Sequence, residues 1–132
     1  AQLVLQMALK AADISHAAKP LEVHKRWTVL ITEEFYRQGD FERSMGIPIS
    51  PLCDRFDSKQ DLSKSQTGFI DFVVKPVLQP FSRFCCEDKW INTLERNRSY
   101  WEKRAAHATE RVYLNTLKAE LGIPFEEDGI CE

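Results

Sequence analysis

The sequence lacks an excess of charge of either sign. Its 132 residues carry 18 lysines and arginines against 20 aspartates and glutamates, a formal net charge of -2. This balance gives no indication of binding to nucleic acid or to an anionic membrane. The chain also lacks an apolar run near the roughly 18 residues of a membrane span and the charged start of a signal peptide. We therefore expect a cytoplasmic protein that binds no nucleic acid.

The cysteines lack a spacing that suits metal binding or disulfides. The four cysteines are Cys53, Cys85, Cys86 and Cys131, with no CxxC pair among them. Adjacent cysteines do not pair easily with each other, so we expect free thiols in a reducing cytoplasm. Small buried side chains are the expected role of Cys53 and Cys85.

Histidine motifs for metal binding are also missing. The histidines are His16, His24 and His107, with no His-Asp dipeptide, HxxxH or HExxH. A hydrolytic metal site normally needs at least three protein ligands. Asp13 and His16 lie on one helical side, but no third ligand is evident. An ion pair or a helix cap is the simpler interpretation of Asp13, and His107 is expected in solvent.

What the sequence does contain is helical patterning. Apolar residues recur at spacings of three and four residues, and no strand alternation or repeat is present. We predict an all-α fold with helices over about 2–14, 21–38, 58–74 and 89–121. The first helix is apolar on nearly all sides, which is typical of a core helix. This chain is short of neighbours for it, so we expect marginal stability or self-association through exposed apolar faces.

Glycine and proline suggest where these helices begin and end. Gly39 is expected to end the second helix, and Asp40 to cap a short helix that follows. Pro76 and Pro80 are expected to kink or restart the third helix, which Asp57 or the residue after it would start.

Gln66 interrupts an apolar helical face. A buried amide without partners costs on the order of 1–3 kcal/mol. Phe69 lies three residues later and points the same way. An amide and an aromatic ring together complement the edge and the face of a nucleobase, although a satisfied core glutamine is the alternative. The apolar residues of this face are Leu62, Phe69, Ile70, Val73 and Val77. Gln38 interrupts the face of the second helix in the same way.

Four segments together resemble the class I cyclic nucleotide phosphodiesterases. They are ALKAADISH, RWTVLITEEFYRQGD, ISPLCDR and SQTGFIDFVVKP, in that family's order and approximate spacing. The resemblance implies an all-α catalytic domain with a deep pocket and two divalent metals, a zinc and usually a magnesium. It also implies hydrolysis of cyclic AMP, cyclic GMP or both to the 5′-monophosphate.

The resemblance implies roles for individual residues. Asp13 would be a zinc ligand, Gln66 would read the purine edge, and Phe69 and Ile31 would clamp the base. The other residues expected to line or support the pocket are His16, His24, Trp27, Thr28, Phe35 and Leu52. The family carries asparagine or histidine at the position of His16, so the choice between cyclic AMP and cyclic GMP stays open.

The family's remaining metal ligands and its general acid belong to histidine-rich upstream motifs that this sequence lacks. We therefore interpret residues 1–121 as the C-terminal portion of a catalytic domain and 122–132 as an acidic tail. No catalytic residue is expected within this segment, its metal site is incomplete, and the upstream half of the domain is its expected partner. Alone, it should not hydrolyse cyclic nucleotides. The alternative is a non-catalytic helical module that binds nucleotides or a partner protein.

Overall fold

The computed structural model describes residues 2–57, 59–104 and 110–124, in which helices occur and no strand does. The all-α prediction is therefore confirmed. The helices are α1 (Gln2–Asp13), α2 (Leu21–Ser44), α3 (Leu62–Phe69), α4 (Lys75–Cys85), α5 (Lys89–Arg104) and α6 (Glu110–Leu121). A 3-10 turn, Ser15–Ala18, joins α1 to α2, and a π-helical turn, Ile70–Val74, joins α3 to α4. No helix in the described part of the chain is long and apolar enough to cross a membrane.

The hydrophobic core forms around α5. This helix contacts α3, α4 and the 3-10 turn, and α6 packs against α2 and α3. The most deeply buried apolar side chains are Ala17, Val29, Ile70, Val74, Leu94, Trp101 and Leu117. They come from the 3-10 turn, α2, the π-helical turn, α5 and α6, so the core depends on contacts between residues far apart in the sequence.

Helix α2 is longer than the sequence predicted. It passes through Gly39 without a break, so the prediction that Gly39 ends it was wrong, as was the separate short helix capped by Asp40. Gly39 is buried, and a Cβ atom there would lie 1.9 Å from the backbone oxygen of Cys53. The glycine therefore allows the loop after α2 to cross the helix at close range.

The loop between α2 and α3 is tied to α2 by polar contacts. The Glu42 carboxylate accepts hydrogen bonds from the backbone nitrogen and hydroxyl of Ser50, both at 2.7 Å. Arg55 Nε donates to Asp40 at 2.8 Å. Asp61 caps α3 by accepting from two backbone N–H groups. The prediction that Asp57 or its neighbour begins α3 was therefore wrong.

A π-helical turn carries the chain from α3 into α4. It ends two residues before Pro76, whose ring would crowd the carbonyl of Phe72 in a regular α-helix. Pro76 then occupies the first turn of α4, and Pro80 lies inside α4. Across this turn Val74 is buried and Val73 is 43% exposed, although the helical stripe predicted Val73 to face the core.

The last helical stretch is two helices, α5 and α6, which meet through aromatic side chains. The hydroxyls of Tyr100 and Tyr113 lie 2.7 Å apart. Thirteen residues of continuous helix would separate these residues by about 20 Å, so the prediction of one helix over 89–121 was wrong. His107, Cys131 and most of the acidic tail lie outside the described residues.

Helix α1 exposes apolar side chains, and the cysteines differ in burial. Leu3, Leu5 and Leu9 of α1 are 70–75% exposed. This part of α1 therefore has apolar surface that the described residues do not cover, as the sequence predicted. Cys85 is exposed at the last residue of α4, so its predicted burial was wrong. Cys53 is buried, and all three cysteines in the described ranges are free thiols.

We predict that Gly39→Ala destabilises the protein by about 1–3 kcal/mol, because the new methyl group would force the loop away from α2. Gly68→Ala is the matched control. A Cβ atom at Gly68, which also lies within a helix, meets nothing within 4 Å, so its effect should be neutral or stabilising by up to about 1 kcal/mol. Urea unfolding of both variants measures the difference. Equal stability of the two would contradict the close approach of the loop.

Candidate functional site

A cavity of about 170 Å³ lies between α2, α3, the 3-10 turn and the loop after α2. Its lining includes seven of the residues that the sequence singled out. The complete lining is His16, Thr28, Ile31, Thr32, Phe35, Leu52, Leu62, Ser65, Gln66 and Phe69. Spacings of three and four residues place the α2 members on one helical face and the α3 members on another. The two faces form opposing walls.

Leu52 reaches the cavity through an uncommon backbone conformation. Its φ is +68°, in the left-handed region that a leucine seldom adopts. The next residue, Cys53, is the one whose backbone meets Gly39. The contact at Gly39 and the strained residue beside it therefore act together to bring an aliphatic side chain to the cavity.

Gln66 is anchored to the wall formed by α2. The Thr28 hydroxyl lies 3.3 Å from Gln66 Oε1 and 3.0 Å from the backbone oxygen of His24. A hydroxyl has one proton to donate and also accepts hydrogen bonds. Thr28 can therefore donate to the amide oxygen or accept from the amide nitrogen, and either orientation leaves one polar edge of Gln66 for a ligand.

Aromatic rings form a stack at one end of the cavity. The rings of His16 and Phe69 are 5.6 Å apart and inclined by only 14°, and those of His16 and His24 are 5.3 Å apart. Trp27 lies beside this stack at 6.4 Å from His16 but is half exposed and does not line the cavity. Phe69 thus keeps its place through the ring of His16.

His24 also does not line the cavity. It is fully buried behind His16, and its Nε2 accepts a 2.7 Å hydrogen bond from the indole nitrogen of Trp101. Burial, and to a lesser extent the proximity of His16, lowers the pKa of His24 to about 3. Burial also lowers the pKa of His16. Both imidazoles are therefore neutral near physiological pH.

Asp13 ends α1 and is exposed to solvent. Neither of its simpler interpretations, an ion pair or a cap, occurs among the described residues. No group of three or more histidine, cysteine, aspartate or glutamate side chains in the described ranges comes close enough to hold a metal ion. Because such a site needs at least three protein ligands, these residues do not hold a metal on their own.

Sequence reasoning missed three lining residues, Thr32, Leu62 and Ser65. Each had a signal. Thr32 lies one turn after Thr28, Ser65 adjoins Gln66, and Leu62 shares the apolar stripe of Gln66, although it was assigned to the core. Gln38, the other glutamine set into an apolar face, is exposed and donates to Glu42 at 2.8 Å, so it forms an ordinary surface pair.

Comparison with known proteins gives one consistent family. The family model described as 3′5′-cyclic nucleotide phosphodiesterase matches residues 1–96. A 3′,5′-cyclic-AMP phosphodiesterase of Drosophila melanogaster, isoform F, is 43% identical over 101 residues, which are 75% of this chain and 15% of that protein. A dual specificity calcium/calmodulin-dependent 3′,5′-cyclic nucleotide phosphodiesterase of the same organism is 53% identical over 75 residues, 57% of this chain and 9% of that protein.

Among solved structures, that of LmjPDEB1 in complex with IBMX superposes with a TM-score of 0.68 at 35% identity, covering 74% of this chain and 29% of that one. The chain thus spans less than a third of each of these relatives.

We predict that acid weakens the fold partly through His24. Its pKa is about 3 when folded against an ordinary value of 6.5, so the unfolded chain binds the extra proton first. The stabilisation is complete above about pH 6.5 and is lost as the pH falls towards 3, at up to about 1.4 kcal/mol per pH unit.

Urea unfolding at about pH 7.5 and about pH 5 measures this loss. His24→Gln keeps a polar acceptor near Trp101 but cannot titrate, so it should lose less stability between the two pH values. The same loss in both proteins would contradict a neutral buried His24.

Proposed function

Because the chain belongs to the 3′,5′-cyclic nucleotide phosphodiesterase family, we propose that it supplies the purine-binding part of an enzyme that hydrolyses cyclic AMP or cyclic GMP. The observation that carries this proposal is the cavity in which Gln66 and Phe69 from α3 face Ile31 and Phe35 from α2. The cavity combines one amide, which can hydrogen-bond to the edge of a purine, with aromatic and aliphatic walls that can pack against its faces.

The chemistry of these side chains suits a planar heterocycle. An amide offers a donor and an acceptor in one plane, which pairs with the edge of a purine. Stacking of a base on an aromatic side chain contributes about 1–3 kcal/mol. Leu52 and Ile31 add apolar surface that excludes water from this contact, so Gln66 provides orientation while the walls provide affinity.

The relatives suggest the range of substrates. One is described as a cyclic-AMP phosphodiesterase and another as dual specificity. The solved relative is in complex with IBMX. We extend to this chain the binding of cyclic AMP and of cyclic GMP, both of which carry a purine.

Hydrolysis requires groups beyond those of the cavity. We assign Asp13 as one ligand of a divalent metal, with zinc and magnesium as the ions, since its carboxylate is exposed and engages no other described residue. Such ions, when bound, activate water and neutralise phosphoryl charge. The other ligands and the general acid are assigned to the rest of a family catalytic domain, and this chain contributes binding and orientation of the base.

The test is a chimera in which the matching part of this chain replaces the 101 matching residues of the Drosophila cyclic-AMP phosphodiesterase. With zinc and magnesium present, we expect the chimera to hydrolyse cyclic AMP and the 132-residue chain alone to show no activity. Asp13→Asn in the chimera should lower kcat by about 100-fold or more. Asp88→Asn, an exposed carboxylate before α5, is the control.

Two outcomes would contradict the proposal. A folded chimera that binds cyclic nucleotides without hydrolysing them would favour a non-catalytic binding module. Full activity of the Asp13→Asn chimera would show that Asp13 is not a metal ligand.

A second prediction concerns the anchor of Gln66. Thr28→Val in the chimera removes the hydroxyl that contacts the Gln66 amide and should raise KM by about three- to tenfold, the value of one hydrogen bond. Thr67→Val is the matched control, because the Thr67 hydroxyl bonds only to helix carbonyls, at 3.0 Å. If both variants had the same KM, Thr28 would have no part in orienting Gln66.

A further inference from the structure

We propose that the outer face of α2 is the interface of a homodimer, in which α2 of a second copy of this chain packs antiparallel against it. We call this face the α2 seam. Its residues are all exposed and are Val23, Trp27, Leu30, Glu34, Arg37, Phe41 and Met45. None of them lines the cavity, so the dimer is independent of the proposed function.

The α2 seam is one continuous stripe along the helix. From Val23 to Phe41 its members recur at alternating spacings of four and three residues, the heptad pattern of a helix that packs lengthwise against another helix. Met45 adds one further turn. At about 100° of rotation per residue, the stripe falls on the side of α2 opposite buried residues such as Thr32 and Gly39. The core therefore leaves this stripe available to a partner.

The α2 seam carries more apolar surface than solvation of a helix requires. Its five apolar side chains are between 43% and 64% exposed. A contiguous apolar patch on a surface marks a contact with a protein or a membrane. Glu34 and Arg37 interrupt this patch at its centre, so it suits a protein that pairs these charges rather than a lipid layer.

The two central charges favour a second copy as that protein. Glu34 and Arg37 are opposite in sign and three residues apart. When two α2 helices pack antiparallel around a two-fold axis between these positions, Glu34 of each copy faces Arg37 of the other. A parallel pair in register would place like charges against each other, which is unfavourable. The seam is thus complementary to itself in one orientation.

The same register brings apolar side chains together on both sides of the axis. Leu30 lies four residues before Glu34, and Phe41 lies four residues after Arg37. Leu30 of one copy therefore faces Phe41 of the other. One turn further out, the Trp27 side chain of one copy reaches Met45 of the other. A single antiparallel register thus pairs charge with charge and apolar surface with apolar surface.

Charge reversal in the 132-residue chain tests this register. Glu34→Lys places two cations against each other in the homodimer, and Arg37→Glu places two anions. Each variant alone should dimerise about tenfold more weakly, whereas an equimolar mixture should recover the original affinity, because both central pairs of the mixed dimer are attractive. Analytical ultracentrifugation measures the dissociation constants. Arg96→Glu, the same change at an exposed position of α5, is the matched control and should have no effect.

Cysteine cross-linking tests the register by distance. Leu30→Cys and Phe41→Cys are made separately in a chain whose Cys85, Cys86 and Cys131 are replaced by serine. Position 30 of one copy should meet position 41 of the other, whereas the two copies of position 30 lie about 16 Å apart along the helices, too far for a disulfide. Glutathione disulfide should therefore cross-link a mixture of the two variants and neither variant alone.

A pair of leucine variants separates the α2 seam from the exposed apolar surface of α1. Leu30→Glu should weaken dimerisation by about 100-fold or more, because it buries a charge against an apolar side chain. Leu5→Glu is the same change at an exposed leucine of α1 and should leave the dimer intact. If Leu5→Glu instead disrupted association and Leu30→Glu did not, the interface would lie on α1 and the proposal would be wrong.

Two further results would overturn the α2 dimer. One is a monomeric unmodified chain at high concentration. The other is a mixture of Glu34→Lys and Arg37→Glu chains that associates no more tightly than either variant alone. Because every substituted side chain is exposed, loss of the dimer would not reflect loss of the fold.

The chimera decides whether the rest of a catalytic domain covers the α2 seam instead. With the same serine replacements, Leu30→Cys and Phe41→Cys chimeras should cross-link when mixed, and peptide mass spectrometry should identify the bond between positions 30 and 41. If neither thiol reacted even with a maleimide, the seam would be packed within one polypeptide and the proposal would be wrong. This measurement does not require hydrolysis, so it is separate from the test of the proposed function.

Discussion

The cavity depends on the amide of Asn97. Its Nδ2 donates to the backbone oxygens of Ala17 and Lys19, each at 2.8 Å, and the side chain is buried. These carbonyls belong to the 3-10 turn and its end, where a helix terminus leaves backbone oxygens without partners. Because the turn carries His16, the amide fixes the wall of the cavity to α5. Without it, the buried carbonyl of Ala17 and the carbonyl of Lys19 would both lose their donor.

The same face of α5 then controls the side chains. Trp101 lies one turn beyond Asn97, so it faces the same corner of the structure. Asn97 holds the backbone of the turn, and Trp101 holds the imidazole behind it. The site therefore receives much of its geometry from a helix that contributes no residue to the cavity lining.

Helical spacing predicted that Gln66 and Phe69 point the same way. The resemblance to the phosphodiesterases implied that Thr28, Ile31 and Phe35 line or support a pocket with them, and all five residues line the cavity. Periodicity could not place His24, because its burial depends on a tryptophan 77 residues later in the sequence.

The predictions of helix boundaries failed for related reasons. A glycine can end a helix, or it can lie inside a helix where another part of the chain comes close. At Gly39 only the position of the Cys53 backbone distinguishes these two cases. The stretch between α5 and α6 has neither glycine nor proline, so local preference favoured one helix. The pairing of Tyr100 with Tyr113 overrides that preference.

The π-helical turn constrains how the length of this segment can change during evolution. Such a turn amounts to one extra residue in an α-helix, and one residue corresponds to about 100° of rotation. Deleting a residue within Ile70–Val74 would leave α3 facing the cavity but rotate α4 away from α1, against which it packs. Substitutions here change one contact at a time, whereas a single deletion would change the whole face of α4. Relatives that keep this cavity should therefore tolerate few insertions or deletions between Phe69 and Pro76.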